Sequence, residues 1–305
     1  MRASSFTEAR FSEQLNNFPV LSFGFNYKIL RELPMWGALA ASLAVLSFQR
    51  QLSAFLLLSA TALAFSQGIL NFNALGFMAV VALAGVARYR WENQQKGGFN
   101  SEVLLVLAAV VLFLHLVPGF NNPKILDKVI AGPHSAPFSM YYNFDKALVP
   151  FILLLALPTL FRTSSTASRP YWNWLLLGIS VPALLLIAVA LGGLRIELHQ
   201  PSWIWQFALA NLFFVSLAEE ALFRGYLQQR LSGWLGHLPA LLITAVIFGL
   251  AHYAGGWLMV VFAGLAGVIY GIAWMWSGRL WVATLFHFGL NLIHLLFFTY
   301  PMYHA

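Results

Sequence analysis

The sequence predicts an all-α, polytopic membrane protein with about nine or ten transmembrane spans and a chemistry-bearing core in its C-terminal half. Three observations carry this. Of 305 residues, 60% are hydrophobic and only 9% are charged, whereas soluble domains carry about 25% charged residues. Mean hydropathy is +0.75. Apolar runs of roughly 15–24 residues recur along the chain, near the length a helix needs to cross hydrocarbon. They are continuous rather than alternating, so a transmembrane β-barrel is excluded.

In chain order, residues 1–34 read as a polar or interfacial arm, with Phe6, Phe11, Leu15 and Phe18 placed to touch headgroups. No apolar core follows a basic start there, so no cleavable signal peptide is expected. Runs 35–48 and 52–70 are divided by Gln49-Arg50-Gln51, which leaves the first one short. Run 72–87 precedes a basic loop at 88–96, and run 103–117 ends at Pro118-Gly119. The loop 120–145, rich in Asn, Pro and Gly, exceeds the usual connection of about 4–6 residues and is expected to be functional or an ordered surface feature. After run 148–161, the polar segment 162–169 reads as a linker. It separates an N-terminal transmembrane extension (35–169) from a core (170–300). The core holds runs 172–194 (with Pro182 as an expected kink), 203–231, 238–252, 257–276 and 280–298.

The net charge of +7 does not point to nucleic acid, because the basic residues are scattered through short loops rather than clustered. They fit membrane orientation better. Arg88, Arg90, Lys96, Arg162, Arg169, Arg224, Arg230 and Arg279 fall on one side; Lys124, Lys128, Lys146 and Arg195 fall on the other. By the positive-inside rule the Arg224 end of run 203–231 faces the cytoplasm. The absence of cysteine excludes disulfides, thiol nucleophiles and thiolate metal sites.

The stretch that organises the chain is Ser216-Leu217-Ala218-Glu219-Glu220-Ala221-Leu222-Phe223-Arg224-Gly225-Tyr226. A carboxylate in hydrocarbon costs about 2.5–3.5 kcal/mol or more, which makes it a functional candidate. On a helix Glu220 and Arg224 share a face in the favourable order. Glu219 is turned about 100° away, so it is expected to remain unpaired and free for proton chemistry.

Two later runs carry imidazoles: Phe248-Gly249-Leu250-Ala251-His252, and His287-Phe288-Gly289-Leu290-Asn291. Glu219, His252, His287 and Asn291 could converge in one pocket. A carboxylate with an imidazole activates water, and a second imidazole with an amide N–H stabilises an oxyanion. His115 and His294 read as plain interhelical hydrogen-bonding groups. His134, His199, His237 and His304 receive no role. Ala263, Gly267 and Gly271 form a small-xxx-small packing face. Both aspartates, Asp127 and Asp145, lie in or at the edge of the long loop, which argues against an aspartyl pair, and no Gly-x-Ser-x-Gly elbow is present.

Glu-Glu-x-x-x-Arg (219–224), Phe-x-x-x-His (248–252) and His-x-x-x-Asn (287–291), in that order, resemble the type II CAAX prenyl endopeptidase family. The family is also called CPBP or Abi and includes bacterial bacteriocin-immunity-like membrane proteases. The resemblance covers roughly residues 170–300. It implies an intramembrane glutamic endopeptidase of a bacterial inner membrane, acting on a membrane-associated peptide or protein, with no cofactor. Carried over by position, Glu219 and His252 would activate water, and His287 and Asn291 would form the oxyanion hole. Glu220, Arg224 and Phe248 would brace the site. Two alternatives stay open. Glu219, His252 and His287 could form a His₂Glu zinc set, though no His-Glu-x-x-His motif is present. The same pocket could also serve a non-catalytic, immunity-type binding protein or a transporter.

Overall fold

A computed structural model describes residues 27–92, 99–165 and 169–304. The interfacial arm with Phe6, Phe11, Leu15 and Phe18 lies outside the described residues, as does Lys96. Residues 35–305 form one compact unit.

The described residues are mostly helical. Helices α1 (Tyr27–Val45), α2 (Arg50–Ser66), α3 (Phe72–Glu92) and α4 (Phe99–Phe113) come first. The strands β1 (Lys124–Val129) and β2 (Phe138–Tyr141) pair antiparallel. Helices α5 (Phe144–Ala147), α6 (Val149–Ala156) and α7 (Tyr171–Ala190) lead to the long helix α8, Ile204–Leu235. The bundle closes with α9 (His237–Leu250), a 3₁₀ turn at Tyr253–Gly255, α10 (Gly256–Ser277) and α11 (Leu280–Phe297).

Among the described residues, five helical stretches are long and apolar enough to cross a membrane: Phe72–Arg90, Tyr171–Ala190, Ile204–Leu235, Tyr253–Ser277 and Leu280–Phe297. Four shorter apolar helices accompany them: Glu32–Val45, Arg50–Ser66, Ser101–Phe113 and His237–Leu250. The protein is an integral, multi-pass membrane protein. Leu58, Leu83, Leu104, Leu176, Ile179, Val246 and Leu265 lie exposed on these helices, which suits contact with acyl chains rather than water.

Run 148–161 departs from the sequence reading for a local reason. It gives only the eight-residue α6. Leu157 is extended at φ −140° and ψ 99° because it precedes Pro158, whose ring disfavours helical backbone in the residue before it. Loop 120–145 is not irregular throughout: it folds into the β1–β2 hairpin and then α5. Helix α7, in turn, stays continuous through Pro182.

The hairpin is seated by an aromatic cluster. Trp36 lies 5.0 Å from Tyr142 and 5.5 Å from Phe214 between ring centroids, and all three rings are fully buried. The N-terminal helices are also tied to the distal half of α8 by charge. Glu102 on α4 accepts from the Tyr226 hydroxyl at 2.9 Å, pairs with Arg230 at 2.6 Å and reaches Arg88 at 3.4 Å.

Helices α9 and α10 approach closely because their facing residues are small. A Cβ on Gly249 would meet the Val260 carbonyl oxygen at 2.6 Å and Gly264 Cα at 3.1 Å. One on Gly267 would meet Arg224 Nη2 at 3.0 Å and Ala245 Cα at 3.3 Å. The Ala263, Gly267 and Gly271 face is thus a packing seam. Helix α10 ends at Gly278, where φ is +63° and a Cβ would strike the Thr163 carbonyl, so glycine is required there.

Candidate active site

The site is built on α8, which is not a plain α-helix. A single α-helical turn, Leu217–Glu220, sits between two π-helical segments, Ala210–Ser216 and Ala221–Gln228. Each π turn carries an extra residue, a rare arrangement found most often at functional sites. The two glutamates lie on that α-helical turn, and both are buried.

Glu220 Oε1 accepts from Arg224 Nη1 at 2.8 Å, and neither side chain has any exposure. Arg224 also donates through Nη2 to the Gly267 carbonyl at 3.0 Å, which uses the opening left by the missing Cβ. Its guanidinium lies over the rings of Phe248 (4.4 Å) and Tyr270 (5.3 Å). These added contacts offset part of the cost of burying the ion pair, although Glu220 Oε2 and Arg224 Nε are buried with no hydrogen-bond partner.

Glu219 is not unpaired. Its Oε1 accepts from Lys146 Nζ at 2.8 Å, a residue of α5 that the sequence reading took as an orientation charge. The reason is topological: the β1–β2 hairpin and α5 fold back into the bundle and deliver the lysine to the acid. The other oxygen, Oε2, faces His287 Nε2 at 3.9 Å, a gap in which a bridging water can touch both groups.

His287 joins the two acids. Its Nδ1 lies 2.9 Å from Glu220 Oε1, so Nδ1–H donates there and Nε2 is left facing Glu219. The hydrogen bond on one ring nitrogen thus fixes what the other presents. The imidazole is stacked on Tyr270 at 4.7 Å with planes 12° apart, and the edge of Phe248 lies 5.8 Å away.

His252, half-buried just beyond α9, donates from Nδ1 to the Phe248 carbonyl at 2.8 Å, which leaves its Nε2 lone pair free. Its ring is 4.7 Å from Phe248 and within electrostatic range of Glu219. Phe248 therefore packs between both imidazoles and Arg224. Asn291, one turn beyond His287, donates from Nδ2 to Asn211 Oδ1 at 3.1 Å. Ser216 Oγ donates to the same oxygen at 3.2 Å, so α11 and α8 are tied together one to two turns before the glutamates.

The structure thus places Glu219, Glu220, Arg224, Phe248, His252 and His287 around one locus, with Asn291 linked to it through Asn211. Four neighbours were missed. Asn211 had a signal, a lone amide two turns before Glu219 in an apolar run. Tyr270 had a weaker one, lying between Gly267 and Gly271 on the packing helix. Ser216 was read only as the start of the motif stretch. Lys146 had none.

Among the described residues no three His, Cys, Asp or Glu side chains are grouped to hold an ion. Glu219 Oε1 and His287 Nδ1 are engaged by Lys146 and Glu220, and Glu219 Oε2 and the Nε2 atoms of His287 and His252 are the groups left over.

The remaining histidines divide. His294 Nε2 lies 3.2 Å from the Thr299 carbonyl oxygen, and His115 pairs with Asp145 at 2.7 Å. His199, given no role, belongs to a buried cluster at the opposite end of the bundle from Arg230. Its Nδ1 donates to the Leu295 carbonyl at 2.6 Å and its Nε2 meets Glu197 Oε2 at 2.8 Å. Ser135 Oγ donates to that same carboxylate oxygen at 2.7 Å and accepts from the Tyr300 N–H at 3.0 Å. Burial alone would raise the Glu197 pKa, but hydrogen bonds from His199, Ser135 and the His134 N–H outweigh it and hold the carboxyl below its ordinary value.

A buried pair of acids in separate partnerships thus lies beside two imidazoles, His287 of α11 and His252 just beyond α9. Residues 201–293 match the family model described as "Type II CAAX prenyl endopeptidase Rce1-like", and this segment contains all three motifs. The matched, Rce1-like segment lies in the C-terminal half of the chain. No curated protein and no solved structure gives a match.

Proposed function

We propose that the chain is an intramembrane endopeptidase that cleaves a membrane-associated peptide or protein with Glu219 as the central base. The observation that carries this reading is the division of labour between adjacent acids. Glu220 Oε1 is shared by Arg224 and His287, whereas Glu219 is held through Oε1 by Lys146 and directs Oε2 at His287 across a 3.9 Å gap.

In the proposed reaction a water between Glu219 Oε2 and His252 loses its proton to that pair and attacks the scissile carbonyl. His287, carrying protons on both nitrogens, donates one to Glu220 and the other, from Nε2, to the developing oxyanion. Asn291 uses one N–H on Asn211 and has a second for the same oxyanion. The proton taken from water is then returned to the leaving amine. No step needs a metal. The loop charges favour an orientation with the Arg224 end toward the cytoplasm.

The test uses purified protein in lipid nanodiscs and a farnesylated peptide ending in a Cys-aliphatic-aliphatic-X sequence, the substrate class named by the matched family. Release of the C-terminal tripeptide, read by mass spectrometry and unaffected by a chelator, is expected. In parallel, membrane peptides are compared between wild-type and deletion strains for one that accumulates uncut. No cleavage in either arm would favour a binding or transport role. Activity lost to chelator and restored by Zn²⁺ would overturn the metal-free mechanism.

A further inference from the structure

Glu219 is neutralised by a cation that the matched domain does not contain. Lys146 lies outside residues 201–293, on the four-residue helix α5, and its position is prepared in detail. Asp145, next to it, is buried. One Asp145 oxygen takes the His115 ring at 2.7 Å, and the other accepts from Asn122 Nδ2 at 2.9 Å. Asn122 Oδ1 in turn accepts the Phe144 N–H at 2.9 Å. These bonds fix the backbone leading into Lys146. The side chain then runs past Phe113, whose ring centre is 4.5 Å from Nζ, and reaches Glu219 with only 13% and 8% of the two side chains exposed.

Removing an ammonium from water costs several kcal/mol even when it is paired. Anchoring of the N-terminal helices to α8 does not call for that cost, since the Glu102 cluster and the Trp36–Tyr142–Phe214 packing already supply it. We propose that Lys146 is a positioning residue of the active site: it holds Glu219 Oε1 and its charge, and so directs Oε2 toward His287 and the attacking water. The role, though not the contact, rests on the proteolytic reading. It gives the region 35–169 a function, because the hairpin and α5 complete a site that the Rce1-like segment leaves without its cation.

The test needs no substrate. Full-length protein in detergent is treated with dicyclohexylcarbodiimide, which adds to a protonated carboxyl in apolar surroundings to give an O-acylisourea. That species either rearranges to an N-acylurea, adding the whole reagent, or is attacked by a neighbouring amine. In the second case an amide forms and dicyclohexylurea leaves, for a net loss of one water from the protein. In the wild type the acid is held ionised by Lys146, so peptide mass spectrometry is expected to show little N-acylurea at Glu219, and any acid that is activated is captured as the amide to Lys146, absent from Glu219→Gln. In Lys146→Met the acid, left without its cation, takes up a proton, and N-acylurea at Glu219 rises roughly fivefold or more. Lys146→Arg, which restores the positive charge, keeps that labelling low. N-acylurea at Glu219 of the wild type with no amide to Lys146, or equal labelling in Lys146→Met and Lys146→Arg, would overturn the proposal. If Lys146→Met does not fold, the wild-type labelling and Lys146→Arg still decide it. Proteolysis enters neither arm, so a failure of the protease reading would register separately.

Discussion

Removing one member of the Glu220–Arg224 pair strands its partner as a bare ion in hydrocarbon, and the loss spreads because each residue has further contacts. Arg224 braces Gly267, Phe248 and Tyr270, and Glu220 orients His287. Glu220→Ala and Arg224→Ala are therefore expected to lose about 3–5 kcal/mol of stability, seen as reduced yield of monodisperse protein and a lower melting temperature in detergent. Variants that melt like the wild type would show that the pair is not structural. The pair was legible in the sequence because i,i+4 spacing on a helix is local geometry. The state of Glu219 was not: its partner is 73 residues away and looked like any basic residue beside a span.

At the scale of elements, the seam between α9 and α10 sets how far α8 lies from both. Gly267→Val places carbon against Arg224 Nη2 and the Ala245 backbone, and overpacking of this kind costs about 1–3 kcal/mol. The change should reduce folded yield and also disturb Arg224. Gly233→Ala, with nothing within 4 Å of the added carbon, should leave stability unchanged or raise it by about 0.4–1 kcal/mol. A melting comparison that ranks the two the other way would refute the seam. Most helices were legible because apolar runs of span length leave few other folds. The π segments flanking Leu217–Glu220 were not, since one extra residue per turn leaves no mark on an almost uniformly apolar run. The short α6 could have been foreseen from Pro158.

On the scale of the whole molecule, chain segments far apart in sequence meet in the Glu197–His199–Ser135 cluster, which joins the hairpin region, the loop before α8 and the C-terminal tail. The Glu197 pKa in the folded protein lies below its unfolded value, so the carboxylate contributes stability that is fully present above about pH 4.3 and lost as the pH falls through the folded pKa. Melting temperature should therefore fall on acidification below about pH 4, and Glu197→Gln should flatten that part of the curve. Identical acid profiles for the two proteins would remove Glu197 from the account. Nothing in the sequence marked this cluster, because its three members come from loops, where neither period nor spacing constrains contact.

The central claim is that Glu219 performs chemistry while the neighbouring acid holds the site together, and it is tested most directly by Glu219→Gln. The amide retains the size of the side chain and can still accept from Lys146, so the variant should fold and insert, with a lowered melting temperature because the Lys146 charge loses its partner. Its rate of tripeptide release from the farnesylated peptide should fall by a factor of about 10²–10⁴, the range that a positioned base supplies. A folded Glu219→Gln protein that cleaves at the wild-type rate would contradict the account.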